Sequence, residues 1–242
     1  MTLEGQFKLV AGGGSGEDLA AARRFRGDGI NDDLASPVLV EAAALPWTPS
    51  PMPGVDRKML FRVGEEVARA TSIVRYSPGG SFTHHVHRGG EEILVLNGVF
   101  QDEHGDYPAG SYIRNPPGTS HVPASAPGCT IFVRLWQFRA EDAAQLVVQP
   151  HQGDGPSLLF EDGAETVWLQ HWQAGSNISI PNSRGLEVLL VSGTLSVGER
   201  EVQAYTWCRL PAGQAFNAEA AGPVSLWIRE APLVHPDVCP IA

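Results

Sequence analysis

Gly79-Gly80-Ser81-Phe82-Thr83-His84-His85-Val86-His87-Arg88-Gly89-Gly90-Glu91-Glu92-Ile93-Leu94-Val95-Leu96-Asn97-Gly98 is the stretch from which the rest of the chain can be read. His85 and His87 are spaced i, i+2. On a strand, where side chains alternate, they share one face; on a helix they would point about 200° apart. The pair therefore asks for a strand. Glu91 keeps the same odd parity, so a hairpin returning after Arg88-Gly89-Gly90 would aim its carboxylate at the same point. Downstream, Pro116-Pro117-Gly118-Thr119-Ser120-His121 makes a turn and delivers a third histidine from a neighbouring strand.

Outward from this stretch the pattern is one of short strands. Candidates run over Lys58–Arg62, Val67–Tyr76, Phe82–His87, Glu91–Leu96, Ser111–Arg114, His121–Ala124 and Thr130–Phe138, separated by Gly and Pro clusters. The segment Leu45–Val55 is rich in proline and reads as an extended connector or a sheet edge. The second half repeats the first at a constant offset of 95 residues: Glu92 to Gly98 lie on Glu187 to Gly193, Arg114 on Arg209, Pro116 on Pro211, Gly118 on Gly213 and Arg134 on Arg229. An internal duplication of one barrel-sized unit accounts for this. The expected organisation is an N-terminal arm at 1–36, a first lobe at 37–145 and a second at 146–242, with the linker near Glu141–Pro156. One short helix is expected in the arm, over Glu17–Phe25, with Ser15 and Asp18 placed like a capping box. The two lobes are expected to pack face to face as a pseudo-dimer.

Three imidazoles and one carboxylate, His85, His87, Glu91 and His121, form a donor set for one divalent transition metal. Zinc and iron lead, with manganese and nickel also suited, since nitrogen-rich sites favour these over calcium or magnesium. In the second repeat the same offset puts Ile180, Asn182, Leu186 and Phe216 at the four positions, so no metal is expected there. Glu92 recurs as Glu187 where the ligands do not recur, which marks it as structural. Arg134, with its counterpart Arg229, reads the same way. Tyr76, Tyr112, Arg114 and Trp136 fall on strands near the motif as core or pocket residues. His84 and His104 read as solvated, and Cys129 as inert.

The two segments Gly79–Gly98 and Gly110–His121 resemble the paired signature motifs of the cupin superfamily, which implies an all-β fold of two tandem double-stranded β-helix, or jelly-roll, barrels. More closely, His85 to Leu96, Phe100-Gln101-Asp102-Glu103 with Gly105 to Gly110, and Arg114 to Gly118 resemble the cupin of ChrR-type anti-sigma factors. The dioxygenases that cleave acetylacetone-like ketones are similar at a greater distance. The resemblance implies the same four metal ligands. It departs at Ser125, where the second motif usually has Asn, and before His84, where the chain has no His or Cys for the zinc domain that grips a sigma factor. A sigma factor is therefore a doubtful partner.

Two functions lead, ahead of a storage or purely structural role, for which zinc usually takes cysteine ligands. One is a sensing or regulatory module that binds a small molecule at the metal. The other is a mononuclear non-haem dioxygenase acting on a small ketone, diketone or aromatic compound. A formal charge of −10 without any basic block argues against nucleic acid and anionic membranes as partners. Three unpatterned cysteines argue against a disulfide framework, and the absence of an apolar span argues for a cytoplasmic protein. A homodimer is the further assembly to be tested.

Overall fold

Runs of β-branched and aromatic residues cut by Gly and Pro give strands and little else in the computed structural model of the protein, which describes residues 8–10, 29–65, 67–149 and 155–241. Among the described residues there are 23 strands, one 3-10 turn at Ala42–Ala44, and no α-helix. The helix expected over Glu17–Phe25, with Ser15 and Asp18, lies outside the described residues, as does most of the arm.

The chain divides into two units. The first comprises Gly27–Asp32, Pro46–Pro150 and Val234–Ala242. Its large antiparallel sheet runs in the order Leu146–Val148, Tyr112–Asn115, Glu91–Asp102, Cys129–Leu135, Arg69–Tyr76, Val55–Val63, Thr48–Pro49. Facing pieces are short: His85–Val86 pairs with Ser120–His121, and Gly80–Ser81 with Ala124–Ser125. The 12-residue strand Glu91–Asp102 serves both parts. It can do so because Gly98 takes φ +73°, and a Cβ there would meet the Gly128 carbonyl oxygen at 2.2 Å. Inward-pointing Ile93, Val95, Phe100, Ile113, Ile131 and Val133 pack as the core, which is where period-2 alternation puts them.

The second unit holds Asp33–Leu45 and His151–Leu233 with the strand Lys8–Val10. Its seven-stranded sheet runs Lys8–Val10, Val38–Glu41, Thr206–Leu210, Leu186–Ser192, Val224–Glu230, Thr166–Trp172, Ser157–Glu161. Its four-stranded sheet runs Asn177–Ile180, Phe216–Ala220, Thr194–Val197, Arg200–Gln203. The duplication is visible in the registers. His85 stands opposite His121 as Ile180 stands opposite Phe216, and Glu92 opposite Arg134 as Glu187 opposite Arg229.

Both ends of the chain depart from the expected division at 37–145 and 146–242. Val38–Glu41 hydrogen-bonds along Thr206–Leu210, so residues 33–45 belong with the second unit. The C-terminal segment belongs with the first: Cys239 N donates to Phe138 O at 2.9 Å, Ala140 N to Asp237 O at 2.9 Å, and Arg69 to Cys239 O at 3.1 Å. The expected linker contributes a strand, Leu146–Val148, to the first unit. Other strands differ in length. Phe82–His87 is strand only at His85–Val86, and the strand expected over Thr130–Phe138 ends at Leu135, because Trp136 takes a left-handed φ of +59°. The proline-rich segment supplies an edge strand, Thr48–Pro49.

Candidate metal centre

The four residues named by spacing converge. Donor atoms of His85, His87, Glu91 and His121 all lie within 4.8 Å of one another. His85 and His121 face each other across the two-residue ladder, and Glu91 opens the long strand directly after the Gly89-Gly90 turn. That turn is tightly determined. A Cβ at Gly89 would sit 2.3 Å from the Trp136 ring, and one at Gly90, whose φ is +77°, 2.3 Å from the Phe138 ring. Glycine lets both rings close over the turn and fixes where Glu91 begins.

The partners of the imidazole rings assign their tautomers. His85 Nδ1 lies 3.1 Å from the Thr83 carbonyl oxygen, which can only accept. His121 Nδ1 lies 3.2 Å from an Asp102 carboxylate oxygen, again an acceptor. The Thr119 hydroxyl donates to the Pro116 carbonyl at 2.7 Å, so it accepts from His87 Nδ1 at 2.9 Å. All three rings thus carry hydrogen on Nδ1, which leaves Nε2 as the nitrogen that can ligate once it holds no proton. Outer partners of this kind orient ligating histidines and raise their basicity.

The inner atoms are left facing one another. His121 Nε2 and His87 Nε2 stand 3.1 and 3.2 Å from Glu91 Oε2, close enough for ion pairs yet lacking hydrogen-bond geometry; all three atoms are buried and unsatisfied. Two nitrogen lone pairs aimed at a carboxylate oxygen repel unless a cation lies among them. Bonds of about 2.1 Å to one ion would bring ligand atoms to this separation. The donor set therefore fits a divalent transition metal, and in the metal-free chain a proton takes its place. Burial opposes the charge on His121, but its contacts with Asp102 and Glu91 outweigh that and push its pKa up to about 9. Burial likewise favours a neutral Glu91, and the His121 and His87 rings overcome it, holding the carboxyl well below the usual range. For His85 burial prevails and lowers the pKa.

Above these donors a cavity of about 400 Å³ opens, lined by His85, His87 and Glu91. Apolar side chains make most of its wall, among them Val55, Val74, Tyr76, Ile131, Val133 and Trp136. Tyr76 and Trp136 thus line the cavity, whereas Tyr112, Arg114 and Arg134 turn to the other side of the sheet. There Tyr112 donates to Glu92 Oε1 at 2.7 Å, Arg134 pairs with Glu92, and Arg114 pairs with Asp142 at 2.8 Å. Glu92 is structural, and its repeat Glu187 keeps an arginine partner, Arg229, at 3.5 Å. His84 and His104 are exposed, and burial raises the Cys129 thiol pKa. Asp102, Thr119 and Thr83 were not named as site residues from the sequence. Asp102 and Thr119 act on rings 19 and 32 residues away, and Thr83 acts through its backbone, where its residue type gives no signal.

In the second unit Leu186 and Phe216 are buried core, with Ile180 packed against them. Asn182, in the place of His87, donates to the carbonyls of Leu210, Pro211 and Gln214 and accepts from Gly185 N at 2.8 Å. It ties the turn, and in place of the His87 imidazole it offers only an amide oxygen already bonded to Gly185 N.

A search of curated proteins finds no match. Residues 35–139 match the model of the ChrR cupin-like domain family. Among solved structures, the bacterial pirin YhhW of Escherichia coli in complex with nickel(II) is 15% identical with a TM-score of 0.66, over 82% of this chain and 100% of that one. A candidate dioxygenase from Nostoc punctiforme is 14% identical at 0.65, over 86% and 87%. Protein YlbA of Escherichia coli is 13% identical at 0.64, over 90% and 98%. At these identities the likeness is one of fold: it agrees with the jelly-roll sheets, so the chain has the fold of the cupins, and residues 35–139 are the part that matches the ChrR cupin-like domain.

Proposed function

We propose that the chain binds one divalent transition metal on His85, His87, Glu91 and His121 and recruits a small molecule to it in the cavity above, in a sensing or regulatory role. The carrying observation is that three Nδ1 atoms, each held by its own acceptor, turn the buried Nε2 atoms of His87 and His121 onto one carboxylate oxygen of Glu91. Zinc or iron suits this set, manganese and nickel are also to be tried, and the similar fold of YhhW is known in complex with nickel.

When bound, the metal supplies a Lewis acid that polarises an oxygen of the incoming molecule. The chain's own residues do the rest. Asp102, Thr119 and Thr83 hold the rings, Glu91 offsets one charge of the cation, and the apolar wall excludes water so that electrostatic contacts at the centre act at low dielectric.

A second reading is a non-haem dioxygenase acting on a small ketone, diketone or aromatic compound. It is favoured by the cavity opening directly on three of the four donors and by the fold shared with the Nostoc punctiforme protein. Metal analysis of protein purified without oxygen, followed by oxygen uptake over a panel of β-diketones, separates the two. One zinc ion per chain with no uptake supports the sensing module. Iron with oxygen consumption selects the enzyme. A chain that takes up no transition metal overturns both.

A further inference from the structure

The cavity is positively charged inside a protein whose formal net charge is −10. Arg57 and Arg62 both line it, and among the described residues Glu91 is the single carboxylate in its wall. Both arginines reach the interior through strand register. Val55, Arg57 and Met59 pair with Tyr76, Val74 and Ser72, and a bulge after Met59 returns Arg62 to the same face, opposite Ala70. The two cations are close enough that Arg57 depresses the pKa of Arg62, with burial the larger cause. Arg62 donates to the Glu65 carbonyl. Arg57 differs: its side chain makes no hydrogen bond or ion pair with any described residue, and its Nε is buried without a partner. A half-buried guanidinium beside a second one, with no counter-ion among the described residues, is suited to receive an anion.

We propose that the ligand of this cavity is a small carboxylic acid with a largely apolar body, and that Arg57 is its counter-ion. This rests on the metal-centred reading above. A divalent ion with Glu91 leaves one net positive charge at one end of the cavity, and the arginines add more on its wall. The apolar residues between them suit an aliphatic or aromatic body. A planar guanidinium grips a carboxylate through two parallel hydrogen bonds, which gives orientation as well as affinity.

The test is calorimetric titration of the zinc-loaded full chain with benzoate and 3-phenylpropionate, set against benzamide and 3-phenylpropionamide. The acids are expected to bind at least tenfold tighter than the amides. Arg57→Gln should abolish that preference while keeping one zinc per chain and an unchanged melting temperature. Arg57→Lys, which keeps the charge without the fork, should retain part of it. Acids binding no better than amides to the native chain, or equally well to native and Arg57→Gln protein, would overturn the proposal. Metal content is measured in the same samples, so loss of zinc from the native chain reports failure of the metal centre. Failure of the Arg57 assignment is read instead from a chain that holds zinc and shows no preference for acids.

Discussion

His121 carries two jobs on one ring, and its neighbours set the pH at which it performs them. In the metal-free chain its pKa is about 9, raised by Asp102 and Glu91 against the opposing effect of burial. Metal must displace that proton. Zinc affinity is therefore expected to strengthen between about pH 6 and 8, by about tenfold per unit while one proton leaves, and to level off above the ring's pKa. Competition titrations with a chromophoric chelator measure this slope. Asp102→Asn removes the carboxylate acceptor from Nδ1. The slope should flatten as the ring's pKa falls, and above the native ring's pKa, where protons no longer compete, affinity should still drop by about 10–100-fold because the ring loses its orienting partner. An unchanged slope would show that Asp102 does not act on His121. The carboxylates can be told apart directly. His87→Ala or His121→Ala should lose stoichiometric metal by elemental analysis. Glu92→Gln should keep it and instead lower the melting temperature, since it breaks the buried Arg134–Glu92 pair at a cost of about 3–5 kcal/mol. The four donors were legible in the sequence because strand parity is a local rule that brings His85, His87 and Glu91 to one side. The acceptors that tune them were not, because no local period links His121 to Asp102 or His87 to Thr119.

The turn between the two ladders is the element on which the centre depends. Gly90 holds φ +77° and has the Phe138 ring where a Cβ would be, whereas Gly79 holds the same φ with open space around it. Alanine at Gly79 should therefore cost about 1–2 kcal/mol, the left-handed backbone alone. At Gly90 the displaced ring adds overpacking, for about 3 kcal/mol in total. Because Glu91 follows at once, only Gly90→Ala should also weaken metal binding. Urea unfolding and metal content of the two variants check both statements, and equal losses would remove the role given to Phe138. The sequence placed this glycine pair in a hairpin but gave no hint of the rings above it. Trp136 and Phe138 lie beyond the end of a strand that periodicity had carried through to Phe138, and the left-handed turn at Trp136 that brings the rings over is invisible to an alternation count. Strand ends are set by such tertiary contacts, and strand interiors by the period. That is why Glu91–Leu96 was recognisable although its extension past Gly98 to Asp102 was not.

Over the whole chain, duplication kept the frame and dropped the chemistry. The offset of 95 residues placed Glu92 on Glu187 and Arg134 on Arg229, and the structure sets Glu92 opposite Arg134 as it sets Glu187 opposite Arg229. It could not predict that Val38–Glu41 pairs with Thr206–Leu210 or that the C-terminal segment hydrogen-bonds to Phe138, because an exposed edge accepts any strand that reaches it. Those exchanges make each unit depend on chain from both halves of the sequence. The metal should be less evenly shared. In the second unit Leu186 and Phe216 occupy ligand positions as buried apolar core, and Asn182 spends its amide on three carbonyls. Titration with zinc should saturate at one ion per chain, and Asn182→His should not raise that number, since the other three positions still offer no donor. Ion held at a thousandfold excess over its dissociation constant stabilises the folded state that binds it by about 4 kcal/mol. Because only the first unit binds, chelation should advance the unfolding of that unit and leave the other where it was. Hydrogen exchange followed by mass spectrometry resolves this by residue: with chelator present, amides of Glu91–Asp102 and Cys129–Leu135 should exchange faster, and those of Leu186–Ser192 and Val224–Glu230 should hold. Equal acceleration in both sets would mean that the exchanged segments couple the units into one cooperative whole, and a second tight zinc site after residue 156 would overturn the assignment of the chemistry to one barrel.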